Sequence, residues 1–228
     1  MVVQGMQKAE VVWEDGAVPV SVRFADPYYA LGDGLAETRH VYLAGNGLPE
    51  RFRPGFHIAE LGFGTGLNAI AAAAAWVRSG QEGRLAFTSF EAFPIAAADM
   101  AHALQRWPEL EPWAGPLVRA WEAGARLIEL PGLLLTVVEG DAREMLGHWT
   151  GAADAWFLDG FSPARNPELW EAELLAEVGR HTAPGGTCAT YSAARAVRDR
   201  IAAAGFTVTR SEGFGRKRHM TRGERARK

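Results

Sequence analysis

Phe56-His57-Ile58-Ala59-Glu60-Leu61-Gly62-Phe63-Gly64-Thr65-Gly66-Leu67-Asn68 decides the fold. Phe56 to Leu61 is a short, mostly apolar run of strand type, Gly62 to Gly66 is a glycine turn, and Leu67 to Val77 continues as an alanine-rich helix able to lie close against a sheet. Glycine backbone lets a ligand approach closely, and the start of the helix offers free N–H groups.

Working outward, strands and helices alternate. Leu85 to Phe90 reads as the second strand, ending at Glu91, and Pro94 opens a helix over Ile95 to Trp107. The pattern weakens from Glu109 to Leu130, where Pro108, Pro112 and Pro116 break it. Arg126 to Leu130, Pro131-Gly132 and Leu133 to Val138 form a hairpin feeding the third core strand. A short helix over Met145 to Trp149 precedes the fourth strand, Ala155 to Leu158, and Glu168 to His181 is helical. Pro184-Gly185-Gly186 reads as a turn, Thr187 to Tyr191 as a fifth strand, and Ala193 to Ala204 as a helix closed by Gly205. Phe206 to Arg210 is a sixth strand and Arg218 to Arg222 a last one. Such alternation predicts an α/β fold with a doubly wound, mostly parallel sheet covered on both faces. Upstream, Glu10 to Val20 is a hairpin turning at Asp15-Gly16, and Asp33 to Tyr42 is a loop and short helix capping the ligand edge. The expected organisation is a hairpin and cap segment over 1–50, a catalytic domain over 51–222 and a basic tail over 223–228, with disorder beyond Met220.

The 228 residues suit one such domain, and 48% hydrophobic against 22% charged residues excludes a mostly disordered chain. The lone cysteine, Cys188, excludes an intramolecular disulfide and makes a cytoplasmic setting the default. No apolar stretch approaches the roughly 20 residues of a membrane span, so no membrane partner is expected. The six histidines have no tight ligand spacing, and no metal is expected. Net charge is −3, but from Arg210 onward eight basic residues face two acidic ones, so this end carries +6 and the remainder −9. Clustered cations of this kind can meet phosphates.

Three acids fall at successive strand ends. The GxGxG spacing departs from the GxGxxG of nicotinamide-binding turns, and Glu60 would repel a pyrophosphate but attract the ammonium or sulfonium of S-adenosylmethionine. Glu91 can accept hydrogen bonds from a ribose diol. Asp141 can accept one from an adenine amino group, and it is preferred over Glu139 because it lies beyond the strand and Gly140.

Asp159 closes the fourth strand inside Trp156-Phe157-Leu158-Asp159-Gly160-Phe161-Ser162-Pro163-Ala164-Arg165-Asn166-Pro167. A carboxylate there can orient an amine for attack on a methyl group and stabilise the developing ammonium, while Phe161 or Trp156 walls the pocket.

That segment resembles the tRNA 5-methylaminomethyl-2-thiouridine methyltransferase family, as do Glu60 to Asn68, Asp33 to Tyr42 and Gly213-Phe214-Gly215-Arg216-Lys217-Arg218. The likeness runs from the opening hairpin to about Met220. It implies a class I S-adenosylmethionine-dependent fold and methylation of the exocyclic amine of 5-aminomethyl-2-thiouridine at the tRNA wobble position. By motif, Gly62, Gly64 and Gly66, together with Asn68, would hold the methionyl part, Glu91 the ribose, Asp141 the adenine and Asp159 the reacting amine. The segment containing Asp33 and Arg39 would help close the pocket, with Phe161 and Arg165 on the substrate side. Arg216, Lys217 and Arg218 would meet phosphates of the anticodon arm. Arg165 stands where relatives often carry lysine, and the guanidinium fork binds phosphate differently. Some relatives continue into a flavin-dependent domain acting on the same uridine, so a stand-alone enzyme or an excised piece is expected. Two other readings compete: a dinucleotide-dependent oxidoreductase on the same sheet, and a non-catalytic RNA-binding domain.

Overall fold

The structure is a computed structural model, and it describes residues 8–227. Residues 1–7 of the expected N-terminal segment and Lys228 of the basic tail lie outside the described residues.

The chain opens with the antiparallel hairpin β1 (Val11–Glu14) and β2 (Val18–Ser21), to which the two-residue β3 (Asp26–Pro27) is added. Asp15 and Gly16 both adopt positive φ at its turn, as a tight hairpin requires. Next come a single turn of helix, α1 (Gly34–Glu37), and a wider π turn over Thr38–Leu43. Asp33 caps α1 by accepting from the Ala36 N–H.

The main body follows as β4 (His57–Leu61), α2 (Leu67–Arg78), β5 (Leu85–Glu91), α3 (Ala97–Leu104), α4 (Glu111–Glu122), β6 (Leu127–Leu130) and β7 (Leu133–Glu139). After these come α5 (Ala142–His148), β8 (Ala153–Leu158), α6 (Ala172–Arg180), β9 (Thr182–Thr190), α7 (Arg195–Ala203), β10 (Phe206–Glu212) and β11 (His219–Arg225). Eight strands join in the order β10-β11-β9-β8-β4-β5-β7-β6, with β4, β5, β7, β8 and β9 mutually parallel. The expected doubly wound sheet and the hairpin before the third core strand are both present.

Alternation along each strand sends side chains to two cores. Ile58 and Phe157 pack with α2, α3 and α4, whereas Ala59, Trp156 and Leu158 pack with α5, α6 and α7. Ala69 and Ala71 to Ala75 are buried, and their small side chains seat α2 between the sheet, α4 and the π turn.

Four expectations are corrected. Residues 111–122 are helical despite two prolines: Pro112 sits in the first turn, where its missing N–H is harmless, and burial of Ala114, Leu117 and Trp121 outweighs the bond lost at Pro116. The helix after β5 starts at Ala97 and not at Pro94: Ala96, its N-cap, is extended, and the Pro94 carbonyl accepts from Ala9 N at 3.1 Å. Pro184-Gly185-Gly186 is an irregularity within β9 rather than a turn before it, since pairing with β8 jumps from Ala153↔Thr182 to Ala155↔Thr187. Finally, residues beyond Met220 are ordered through Arg225, as β11 lies between β9 and β10 and bonds to both.

Candidate active site

Parallel neighbours β4 and β8 lead the chain in opposite directions, β4 towards β5 and β7, β8 towards β9. Loops at their carboxyl ends therefore part and leave a crevice. A cavity of about 1040 Å³ opens there, between the Gly62–Gly66 turn, the Asp159 loop, the N-terminal hairpin and the cap. Gly62, at φ +89°, admits no side chain, because a Cβ would sit 2.5 Å from the Asp159 carbonyl oxygen. Gly64 lines the cavity, while Gly66 supports the turn from below at φ +78°, against Leu117 and Phe63.

On one side stand two acids. Glu91 Oε2 accepts from the N–H groups of Phe63 and Gly64 at 2.9 and 3.0 Å, and Oε1 accepts from Phe93 N at 2.7 Å. Burial raises its pKa against the pull of these amides. The carboxylate thus ties the glycine turn to the end of β5 and still borders the cavity. Asp141 caps α5 through Arg143 N and is bracketed by the Arg143 guanidinium, whose hydrogen bonds lower its pKa. It lines the cavity, whereas Glu139 is turned to an ion pair with Arg126.

Glu60 departs from its expected position. Fully buried, it does not line the cavity: Oε1 accepts from Asn68 Nδ2 at 2.9 Å and Oε2 from Ser89 Oγ at 2.7 Å. Burial raises its pKa well above the carboxylate range, with the Asp159 charge adding to the effect. A carboxyl sealed beneath the floor does not face a sulfonium in the cavity; Asn68, which it holds, stands between it and Asp159.

Asp159 is the centre of the other side. Tyr42 Oη donates to Oδ1 at 2.5 Å and Asn68 Nδ2 to Oδ2 at 2.6 Å, while Asn68 Oδ1 accepts from Thr38 Oγ1 at 2.7 Å. Burial pushes the Asp159 pKa up to about 7, opposed by the Tyr42 and Asn68 hydrogen bonds and the Lys217 charge. At neutral pH the carboxyl therefore exchanges readily between its two protonation states. Burial also pushes the Tyr42 hydroxyl well above its ordinary value, so it stays a donor.

Phe161 lines the cavity, stacked on Phe24 with centroids 4.7 Å apart and met edge-on by Tyr28. Trp156 does not wall the pocket; fully buried, it packs against Phe90 and Trp149 on the opposite face of the sheet. Asp33 and Arg39 also stay outside: Asp33 is the α1 cap and Arg39 reaches Glu109 at 3.6 Å. Their segment contributes Gly34, Glu37 and Thr38 to the lining instead. Arg165 lies outside it beside Asp26 and the Phe24 carbonyl. Arg216 and Lys217 border the cavity and Arg218 does not, with Lys217 Nζ 3.0 Å from Glu37 Oε1.

Glu37, Tyr42 and Tyr191 were not singled out from sequence. Tyr191 follows the last residue of β9, so the strand-end argument that found Asp159 applied to it equally. Glu37 and Tyr42 lie in the aperiodic cap, where local pattern says nothing about direction.

Fold and site together define a doubly wound α/β protein whose switch-point cavity combines a glycine turn, strand-end acids and a carboxyl poised near neutrality. A family model described as S-adenosyl-L-methionine-dependent methyltransferase matches residues 108–226, and the chain belongs to that family. The chain is 48% identical over 216 residues to the tRNA 5-methylaminomethyl-2-thiouridine biosynthesis bifunctional protein MnmC of Caulobacter vibrioides, covering 91% of this chain and 36% of that protein. It is 43% identical to the protein of the same name from Chromobacterium violaceum, covering 94% and 34% respectively. It therefore spans about a third of the length of these curated relatives. The crystal structure of MNMC2 from Aquifex aeolicus superposes with a TM-score of 0.77 at 25% identity, covering 99% of this chain and 72% of that one. Membership of a methyltransferase family sets aside the oxidoreductase reading. Among the described residues, no helix is long and apolar enough to cross a membrane.

The residues present fit S-adenosylmethionine. Gly62 and Gly64 present backbone without a side chain to the cavity, and Glu91 and Asp141 put acceptors along one wall of a cavity of ligand size.

Proposed function

We propose that the protein methylates the exocyclic amine of 5-aminomethyl-2-thiouridine at the tRNA wobble position, giving 5-methylaminomethyl-2-thiouridine. The observation that carries this reading is Asp159, held by Tyr42 and Asn68 at the head of a methyl-donor cavity, with its pKa pushed up to about 7. The names of the MnmC relatives, which align over nearly all of this chain, support the choice of acceptor.

When bound, the donor supplies an electrophilic methyl on a sulfonium sulfur. Gly62, Gly64 and Gly66 would shape the methionyl end, Glu91 would accept from the ribose and Asp141 from the adenine. Asp159, ionised, accepts an N–H from the neutral acceptor amine and turns its lone pair towards the methyl. As the N–C bond forms and the C–S bond breaks, positive charge grows on nitrogen beside this carboxylate, which stabilises it. The proton leaves the product ammonium through Asp159 or to water. Phe161, with Phe24 and Tyr28 behind it, offers a face for a base.

The exposed Arg216, at the border of the cavity, and Arg218, outside it, would meet phosphates of the anticodon arm. The relatives are named as bifunctional, and a flavin-dependent wobble-uridine activity, fused or separate, would supply the aminomethyl substrate. A tRNA substrate fits a cytoplasmic setting.

Donor-dependent methylation of tRNA bearing 5-aminomethyl-2-thiouridine, followed by nucleoside analysis, tests the reading. Asp159→Ala should bind S-adenosylhomocysteine nearly as wild type does, by calorimetry, yet lose on the order of 100-fold or more in methyl transfer. Full turnover by this variant would remove the role given to Asp159.

A further inference from the structure

The acceptor side of the cavity is acidic. Glu37 faces it from α1, Glu60 underlies it from β4 and Asp159 closes β8, while Tyr42 of the π turn and Tyr191 at the end of β9 stand beside them. Glu60 is fully buried beneath the floor, with its pKa raised by burial, whereas Glu37 and Asp159 line the cavity. Two carboxylates around an amine favour its ammonium form, and an ammonium has no lone pair with which to attack.

Lys217, in the connection between β10 and β11, alters that balance. Its Nζ lies 3.0 Å from Glu37 Oε1 and 3.6 Å from the centre of the Tyr191 ring. Glu37 is otherwise turned to the backbone, where Oε2 accepts from Ala30 N at 2.9 Å. Tyr191 is fixed by its hydroxyl, which donates to the Gly160 carbonyl at 2.8 Å, one residue past Asp159. The lysine is thus clasped between the cap and the end of the sheet, on the cavity lining, whereas Arg218 lies outside it.

We propose that Lys217 is a positioning residue for methyl transfer: its ammonium, clasped by Glu37 and Tyr191, offsets the acidic acceptor side and so favours the neutral form of the incoming primary amine and the ionised form of Asp159. The inference rests on the amine-methylation reading above. Lys217 and Glu37 act on the Asp159 carboxyl in opposite senses, the cation lowering its pKa and the carboxylate raising it. Neutralising either one should therefore move the same titration in opposite directions, a signature that neither lost phosphate contact nor loosened packing produces.

The experiment is the pH dependence of kcat at saturating tRNA and donor, from about pH 5.5 to 9 around the neutral titration expected of Asp159. Lys217→Met should shift the acid limb to higher pH by roughly half a unit to one unit, the half-exposed position of the cation limiting the effect, with the rate deficit closing as pH rises. Glu37→Gln should shift the limb to lower pH, and Lys217→Arg, which keeps the charge, should retain the wild-type midpoint. A carboxyl 13C NMR titration of Asp159 in the donor-free protein should show the same opposite displacements without any turnover. The proposal is overturned if the Lys217→Met profile superimposes on wild type after scaling, or if the variant only raises KM for tRNA equally at every pH. Absence of methyl transfer by the wild-type protein would overturn the functional reading instead, and the donor-free titration would still decide the electrostatic claim.

Discussion

Asp159 and Glu60 are both carboxyls at the ends of adjacent strands, yet they do different work because of what surrounds them. Asp159 opens on the cavity and accepts from Tyr42 and Asn68, whereas Glu60 is sealed beneath Asn68 and Ser89. Burial raises the Glu60 pKa well above 4.5, so folding favours its protonated form. The stability this carboxyl contributes is therefore complete below its unfolded pKa and is lost as pH rises through the raised folded value. Glu60→Gln replaces it with a group of the same shape that can accept from Asn68 and donate to Ser89 Oγ, and it carries no titrating proton. Urea unfolding between pH 5 and 9 should show the midpoint of the variant pulling ahead of wild type as pH rises; a difference independent of pH would contradict a protonated Glu60. Asp159 was legible in the sequence because an apolar run delivered it to a loop. The direction of Glu60 was not: an acid before a glycine turn can face the ligand or turn inward, and the deciding partners, Asn68 and Ser89, come from a helix and another strand. Tyr42 was hidden for the same reason, since it meets Asp159 across 117 positions of the chain.

At the scale of elements, strands and helices with strong periodicity were readable, and the misreadings fall where tertiary contact overrides a local signal. Three prolines concealed α4, whose burial against α2 and β6 outweighs one missing backbone bond. The Pro184-Gly185-Gly186 cluster looked like a turn, but β9 carries it as an irregularity while staying paired with β8. The glycine turn borders the cavity, where a ligand loop is expected, though part of its constraint is internal. Gly62 has positive φ and faces the Asp159 carbonyl, and its N–H donates to the Phe90 carbonyl at 2.9 Å. Gly62→Ala would incur both backbone strain and a clash of main chain with main chain, which no side-chain rotation relieves. A loss of about 3 kcal/mol or more in chemical unfolding is expected, together with weakened S-adenosylhomocysteine binding as the turn and the Asp159 loop separate. Gly80→Ala, where a Cβ meets nothing within 4 Å but φ is also positive, is the control that isolates strain from the clash.

Across the whole molecule, the cap and the sheet are joined by side chains that bridge distant parts of the chain. Arg51 donates to the Asn46 carbonyl, Thr187 Oγ1, and the carbonyls of Asp154 and Gly185, tying the end of the cap to β8 and to the irregular start of β9. Lysine cannot span these four acceptors, so Arg51→Lys should lower stability by about 2 kcal/mol, read as a reduced denaturation midpoint. The charge asymmetry of the sequence also resolves at this scale. Arg222 and Arg225 of the basic end are taken up by the fold, through the Gly45 carbonyl and through the carbonyls of Gly179 and Thr182. Lys217 is turned to Glu37, while Arg216 and Arg218 stay exposed at the rim of the cavity loop. Composition could register the +6 but not divide it between structural and outward cations, because that division depends on which strand pairs with which. If Arg216 and Arg218 meet phosphates, the double variant Arg216→Glu/Arg218→Glu should weaken tRNA binding and lower the magnitude of the log Kd against log salt slope by about two. S-adenosylhomocysteine binding, measured in parallel, should stay within twofold of wild type. An unchanged salt slope would move the tRNA surface elsewhere on a protein whose remaining body carries a net charge of −9.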